Sequence, residues 1–371
     1  MKLIQKKSIK LSLCAFLLAL GSRQALAQFT ITVESYGDVP VPLRASLDSI
    51  YDLLETEVSG NLPSIDLSNI LKGVADGTAA AGSGVDADYA SPMRIALLGV
   101  NVGAAVKFKD NFGIGDLSSG LSAIQGGGAQ AGLLIGGSGK MFPQFKIGPF
   151  DSHRAKGYMS LFFFGRDLNI FDGTVGLDIA HFAVSGQYKI IEEKSMGRGV
   201  FKWGGVDLTG GLRYNSTTLS YTKSLPTIAL TPSTFGTGTV TPGFANGVVN
   251  LAFDTATFSV PMEASTSVRL LYFLTFFTGA GMDFHFGKTS GNATATGNIN
   301  TEFSGISGIT NQPVAKAAYN LNQAPASPNV FDFRGFFGTQ IEMGVFAVYA
   351  QAQKALVGGP IGATVGVKGF W

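Results

Sequence analysis

Residues 258–270 alternate with a period of two over thirteen positions. Phe258, Val260, Met262, Ala264, Thr266, Val268 and Leu270 fall on one face, and Ser259, Pro261, Glu263, Ser265, Ser267 and Arg269 on the other. A helix repeats its apolar stripe every 3.6 residues, so this stretch reads as a strand with one apolar and one polar side. Residues 272–286 repeat the pattern after a tight turn at Leu271. Leu274, Phe276, Ala280, Met282, Phe284 and Phe286 oppose Gly279, Gly281, Asp283 and His285.

The alternation matters because the chain is apolar without apolar runs. Charged residues make up 14%, Gly numbers 50 and Phe 29, and mean hydropathy is +0.25. Beyond residue 27 no apolar run approaches the roughly 20 residues that a membrane helix needs. In lipid every backbone N–H and C=O needs an internal partner, which only helices and closed barrels supply. The expectation is an all-β fold, an antiparallel transmembrane β-barrel. A soluble β-sandwich or propeller would alternate too, but would not expose this much phenylalanine outside its packed face.

Further candidate strands are 95–108, 129–142, 157–166, 175–190, 206–214, 331–343, 345–355 and 361–371, ten in all, with eight to twelve left open by the ambiguity of 126–166. Around Ala180 the apolar set switches from odd (Val175, Leu177, Ile179) to even (Phe182, Val184, Tyr188, Ile190), which predicts a β-bulge there. Short turns at Leu271 and Gly344 would lie in the periplasm, and the long Thr/Ser/Gly/Asn-rich segments 222–246 and 288–329 outside.

The N-terminus reads as an address. Lys2, Lys6, Lys7 and Lys10 precede an apolar run from Leu11 to Leu20 and a small-residue site at Ala25 and Ala27, so residues 1–27 are read as a cleaved secretory signal peptide. The single cysteine, Cys14, lies within it, leaving no thiol for a disulfide or metal site. Those 27 residues hold five of the 27 basic residues, so 22 basic face 25 acidic beyond them and the basic pI of the whole chain argues for no nucleic-acid binding.

The last strand alternates Ile361, Ala363, Val365 and Val367 and ends on Phe370 and Trp371. It resembles the C-terminal sorting signal of Gram-negative outer-membrane β-barrel proteins. The resemblance implies localisation in the outer membrane, with outer-membrane lipid and the barrel-insertion machinery as partners.

Residues 28–93 differ. Leu43, Leu47, Ile50, Tyr51 and Leu54 sit at helical spacing after Pro42; Ser64 is placed to cap a second run holding Ile65, Leu67, Ile70 and Leu71. Residues 76–88, rich in Gly and Ala, read as a linker to a barrel over 94–371. The helices either plug the lumen or pack beneath the barrel mouth, and periodicity alone favours the second.

The inward ionisable residues, Lys107, Asp178, Asp207, Arg213, Glu263, Arg269, Asp283, His285, Asp332, Arg334, Glu342 and Lys368, are the lumen-lining candidates. Asp283, His285 and Asp332 offer acid–base groups but no nucleophile motif, so no catalytic residue is expected. The run Gly126-Gly127-Gly128-Ala129-Gln130-Ala131 matches G-x-G-x-x-A without a βαβ context, and Gly139-Lys140 lacks the rest of a phosphate loop. No cofactor or metal is expected. Two functions fit: a non-enzymatic narrow channel or transporter for small or hydrophobic solutes, or a surface-exposed structural or adhesive protein whose long loops meet host surface ligands.

Overall fold

The computed structural model describes residues 28–61, 68–84, 86–91, 93, 95–109, 124–170, 173–196, 200–225, 227–229, 233–235, 238–304, 310–322, 324–356 and 359–371. The expected signal peptide and the Ser64 cap lie outside these residues.

The chain begins with strand β1 (Gln28–Ser35), then helices α1 (Val41–Asn61) and α2 (Ser68–Ala81). Among the described residues eleven further strands of nine residues or more follow, beside a few of two or three residues: β2 (Ala96–Phe108), β3 (Ile124–Ser138), β4 (Ala155–Ile170), β5 (Gly173–Ile191), β6 (Phe201–Ser224), β7 (Gly238–Leu270), β8 (Leu274–Ser304), β9 (Val314–Asn322), β10 (Phe331–Met343), β11 (Phe346–Ala355) and β12 (Ile361–Phe370). Ten of them, β2 to β8 and β10 to β12, pair antiparallel in a closed ring. β12 returns to β2 with Ile361 opposite Val106 and Phe370 opposite Leu97, and Trp371 N–H reaches the Ala96 carbonyl at 2.9 Å. The C-terminal strand therefore closes the barrel, leaving no free edge within the ring.

The apolar face of each strand points out. Leu208, Leu212, Val365 and Phe337 are exposed, while Asp207, Arg213, Thr364 and Gln340 are buried. One cross-strand rung of aromatics, Phe182, Tyr214, Phe258 and Phe286, runs around the outside. Two residues further along each strand the outward rung is Ala180, Ser216, Ala256 and Lys288, with Phe163 of β4 still beside Ala180, and the next rung is Asp178, Thr218, Asp254 and Ser290. The change from aromatic to polar marks the edge of the lipid-facing band, where amphipathic rings sit at a membrane interface. Such a ring with an apolar exterior is an outer-membrane type β-barrel.

Beyond that edge the structure departs from the loops expected at 222–246 and 288–329. β7 and β8 stay paired from Leu270 and Leu274 up to Thr239 and Ser304, and β9 and β1 add further strands beside β8. The hydroxyl, carboxylate and amide side chains there, such as Thr218 to Asp254 at 2.9 Å and Thr222 to Asn250 at 2.9 Å, support cross-strand pairs instead of turns. The described residues of the expected loops thus form a β-extension.

The bulge expected at Ala180 is absent. β5 pairs without interruption through Ala180 on both flanks, and its one irregularity lies between Lys189 and Ile191. The strict period of two therefore carries Asp178 to the outward face, opposite the lumen position assigned from sequence. This costs little, because Asp178 lies in the polar rung above the aromatic band.

Candidate functional site: the occupied lumen

Helix α1 packs on the β-extension. Leu47, Ile50, Tyr51 and Leu54 bury against Val240, Ile299, Ala315 and Ala317, and the Tyr51 and Thr301 hydroxyls lie 2.6 Å apart. Helix α2 lies inside the ring, against β2, β3, β7 and β8. Ten strands about 4.8 Å apart and tilted by about 40° enclose a ring roughly 20 Å across. A helix with ordinary side chains, about 10–12 Å wide, would crowd it. α2 is built from Gly73, Ala75, Gly77, Thr78 and Ala79 on its buried sides, and meets β3 where that strand reads Gly126-Gly127-Gly128. A Cβ on Gly128 would stand 2.4 Å from Thr78 Cα, and one on Gly126 2.4 Å from Val74 N. The glycine run is a backbone-to-backbone seat for the helix.

Residues 76–81, assigned to a linker from sequence, continue α2, and the described residues of 82–93 run as an irregular chain of turns and bends through the ring to Ile95, whose N–H meets the Trp371 carbonyl at 2.6 Å. The segment 68–93 thus enters beside the β-extension and leaves at the short-turn end, in place of the packing beneath the mouth that periodicity favoured. The C-terminal turn of α2 and the irregular backbone after it leave orphan carbonyls, which must find partners when buried. Inward side chains supply them: Asn215 to Thr78 O at 3.2 Å, Gln353 to Ala80 O at 2.7 Å, Ser185 to Asp86 O at 2.7 Å, and Gln187 and Tyr158 to Asp88 O at 3.3 Å each.

Three acids on this segment meet the lumenal cations. Asp76 binds Lys107 at 2.6 Å and Lys72 at 3.0 Å. Asp86 pairs with Arg213 and has His181 Nε2 at 3.0 Å, and Arg213 also donates to Ser83 Oγ at 3.2 Å. Asp88 pairs with Lys368, whose ammonium lies 4.5 Å from the Tyr349 ring centre. Tyr89 donates to Glu263 at 2.5 Å; Glu263 in turn pairs with Arg334, which binds Asp283 at 2.6 Å. Tyr89 itself rests among Phe277, Phe336 and Tyr349 in the apolar layer near the exit.

The remaining sequence-assigned residues pair among the strands. Asp207 holds Lys189 at 3.1 Å, and Glu342 meets Arg269 at 3.4 Å and Thr275 Oγ1 at 2.9 Å. His285 shares a hydrogen bond of 2.7 Å with Ser259, and its other ring nitrogen lies 3.7 Å from Asp332, beyond hydrogen-bond reach. Ser259 and His285 are buried, so this resembles a Ser–His–Asp set only in composition. Phe370 turns inward and is buried, while Trp371 is exposed at the outer wall.

The plug acids Asp86 and Asp88 and the hydrogen-bonding residues Asn215, Gln187 and Gln353 were not assigned from sequence. One signal was present: from Gly73 to Met93 the chain has three acids and no basic residue. Buried carboxylates without local cations need distant ones.

Solved structures similar to this chain include the translocator domain of the autotransporter NalP from Neisseria meningitidis, at 10% identity and a TM-score of 0.28, covering 91% of this chain and 99% of that one. The transport unit of the autotransporter AIDA-I from Escherichia coli has 9% identity and a TM-score of 0.30, with 80% and 99% covered. The toluene transporter TbuX of Ralstonia pickettii has 11% identity and a TM-score of 0.24, with 81% and 99% covered. No curated protein matches the sequence. The signature of the family described as Lsa36-like matches residues 24–371, nearly the whole sequence, and the chain belongs to that family.

Proposed function

We propose that the protein is a non-enzymatic outer-membrane barrel that is closed at rest and works through its β-extension, a surface-exposed platform for host surface ligands. The observation that carries this reading is the occupied lumen: segment 68–93 is held at successive levels by Asp76, Asp86, Asp88 and Tyr89, each with a strand partner. A barrel wider than its own side chains can fill is here filled by its own chain, while outside the lipid band β7, β8, β9, β1 and α1 build the extension. Export through a signal peptide and insertion by the barrel machinery belong to the same proposal.

A second reading is a gated path for small hydrophobic solutes. It is favoured by the aromatic layer of Tyr89, Phe277, Phe336 and Tyr349 at the short-turn end, and requires segment 68–93 to move.

Planar-bilayer recording separates the two. On the first reading the native chain is silent, and vesicle-borne protein binds cell-matrix preparations in a manner lost when residues 292–322 are replaced by a short turn. Asp86→Asn with Asp88→Asn leaves Arg213 and Lys368 uncompensated, a loss of about 3–5 kcal/mol for each buried pair broken. Conductance appearing only in that variant supports a movable plug; steady current in the native chain overturns the closed state.

A further inference from the structure

The short-turn end carries one connection that does not fit it. β7 and β8 are joined by residues 271–273, β10 and β11 by Gly344 and Val345, and β5 and β6 by residues 192–200, whereas β3 and β4 are joined by the longest connection at this end, residues 139–154. A connection this long at that end needs a reason.

The segment is folded. Lys146–Ile147 pairs with Phe150–Asp151 around Gly148, whose φ of +57° requires glycine or an equivalent turn residue. Ser152 Oγ accepts from Phe145 N–H at 3.1 Å, Ser152 N–H donates to the Phe145 carbonyl at 3.1 Å, and Gln144 donates to Asp151 at 2.8 Å. It is also docked, and on the outside of the barrel. Tyr188 follows Phe182 and Val184 on the outward face of β5; its hydroxyl donates to the Pro149 carbonyl at 3.0 Å and accepts from Asp151 N–H at 3.1 Å, and its ring stacks on Phe150 at 5.2 Å.

Residues 141–150 are nevertheless exposed throughout, including Phe142 at 65%, Phe145 at 52% and Ile147 at 70%. Lys140 and Lys146 flank these apolar side chains, Lys146 lying 3.5 Å from Asp151 with its side chain still largely exposed. An ordered hairpin that turns its apolar side chains out marks an interaction surface. Its seat names the occupant, because Tyr188 belongs to the same wall that presents Val184 and Leu212 to lipid. Aromatic rings with flanking lysines are the side chains that settle at the headgroup level of a bilayer.

We propose that residues 139–154 form a lipid-anchoring hairpin in the leaflet at the short-turn end, with Phe142, Phe145 and Ile147 among the acyl chains and Lys140 and Lys146 at the phosphates of glycerophospholipids. This rests on the reading of the ring as a membrane barrel.

Site-directed spin labelling tests it in the full chain, reconstituted in vesicles of phosphatidylethanolamine and phosphatidylglycerol. Cys14→Ser removes the one native thiol. Labels are placed separately through Phe142→Cys and Ile147→Cys, with Leu212→Cys as the lipid-wall control and Asn320→Cys as the water control; two hairpin positions guard against one variant failing to fold. Expected are collision rates with oxygen raised, and with a water-soluble nickel chelate lowered several-fold, at residues 142 and 147 relative to 320. Nickel accessibility at both positions equal to that at 320, with 212 reading as lipid, overturns the hairpin proposal. Water accessibility at 212 overturns the barrel reading instead.

Discussion

At the level of single residues, Asp38 is the plainest case of an environment setting a charge. Just outside β1, it accepts from Asn311 N–H at 2.8 Å, from Asn311 Nδ2 at 3.2 Å and from the Thr310 hydroxyl, joining the N-terminal segment to the turn before β9. The Thr310 hydroxyl and the Asn311 donors favour the ionised carboxyl and lower its pKa to about 2. A depressed folded pKa contributes stability that is fully present above the ordinary carboxylate value of about 3.9 and is lost as pH falls through about 2. Hydrogen exchange at the Asn311 amide should therefore be slower in the native chain than in Asp38→Asn from neutral pH to about 4, and the ratio should fall toward one as pH approaches about 2.

Among elements, the pairing of α2 with β3 has the least tolerance. Gly126 and Gly128 on the strand and Gly73 and Gly77 on the helix put two backbones in contact, so any side chain added there must displace one of them. Gly128→Val is expected to cost about 1–3 kcal/mol or more by overpacking. Gly157→Ala on β4, with nothing within 4 Å of its Cβ, should be near neutral. The denaturant midpoint of the heat-modifiable folded band distinguishes them. In sequence the same glycines formally match a nucleotide-binding fingerprint; what they admit is a helix of this chain. Helix α1 was legible from Leu43, Leu47, Ile50, Tyr51 and Leu54, because its spacing needs no knowledge of the partner. The partner surface, Val240, Ile299, Ala315 and Ala317, lies about 190–270 residues away and had no local signature.

For the whole molecule, closure depends on the last strand. β12 supplies one wall of the β2 ladder, and Trp371 both exposes its ring at the outer interface and bonds Ile95 and Ala96 through its backbone. Deleting Phe370 and Trp371 is expected to lower the membrane-inserted fraction severely, read as heat-modifiable protein in outer-membrane preparations, while any chain that does insert keeps its lumenal ion pairs. Normal insertion of the truncated chain would remove the sorting role from this end.

Period-two alternation by itself determined the architecture: it sorts side chains to two faces, and lipid outside with polar groups inside leaves a closed ring of strands as the solution. It also placed Arg213, Glu263, Asp283, Arg334 and Lys368 on the inward face, since one face of a strand is a local property. Tertiary structure decided what those residues meet. Asp86 finds Arg213 across 127 positions and Asp88 finds Lys368 across 280, so the charge balance of the lumen exists only once the chain has passed through its own barrel. Helical periodicity records that a face is buried, and the geometry of the ring alone determines where.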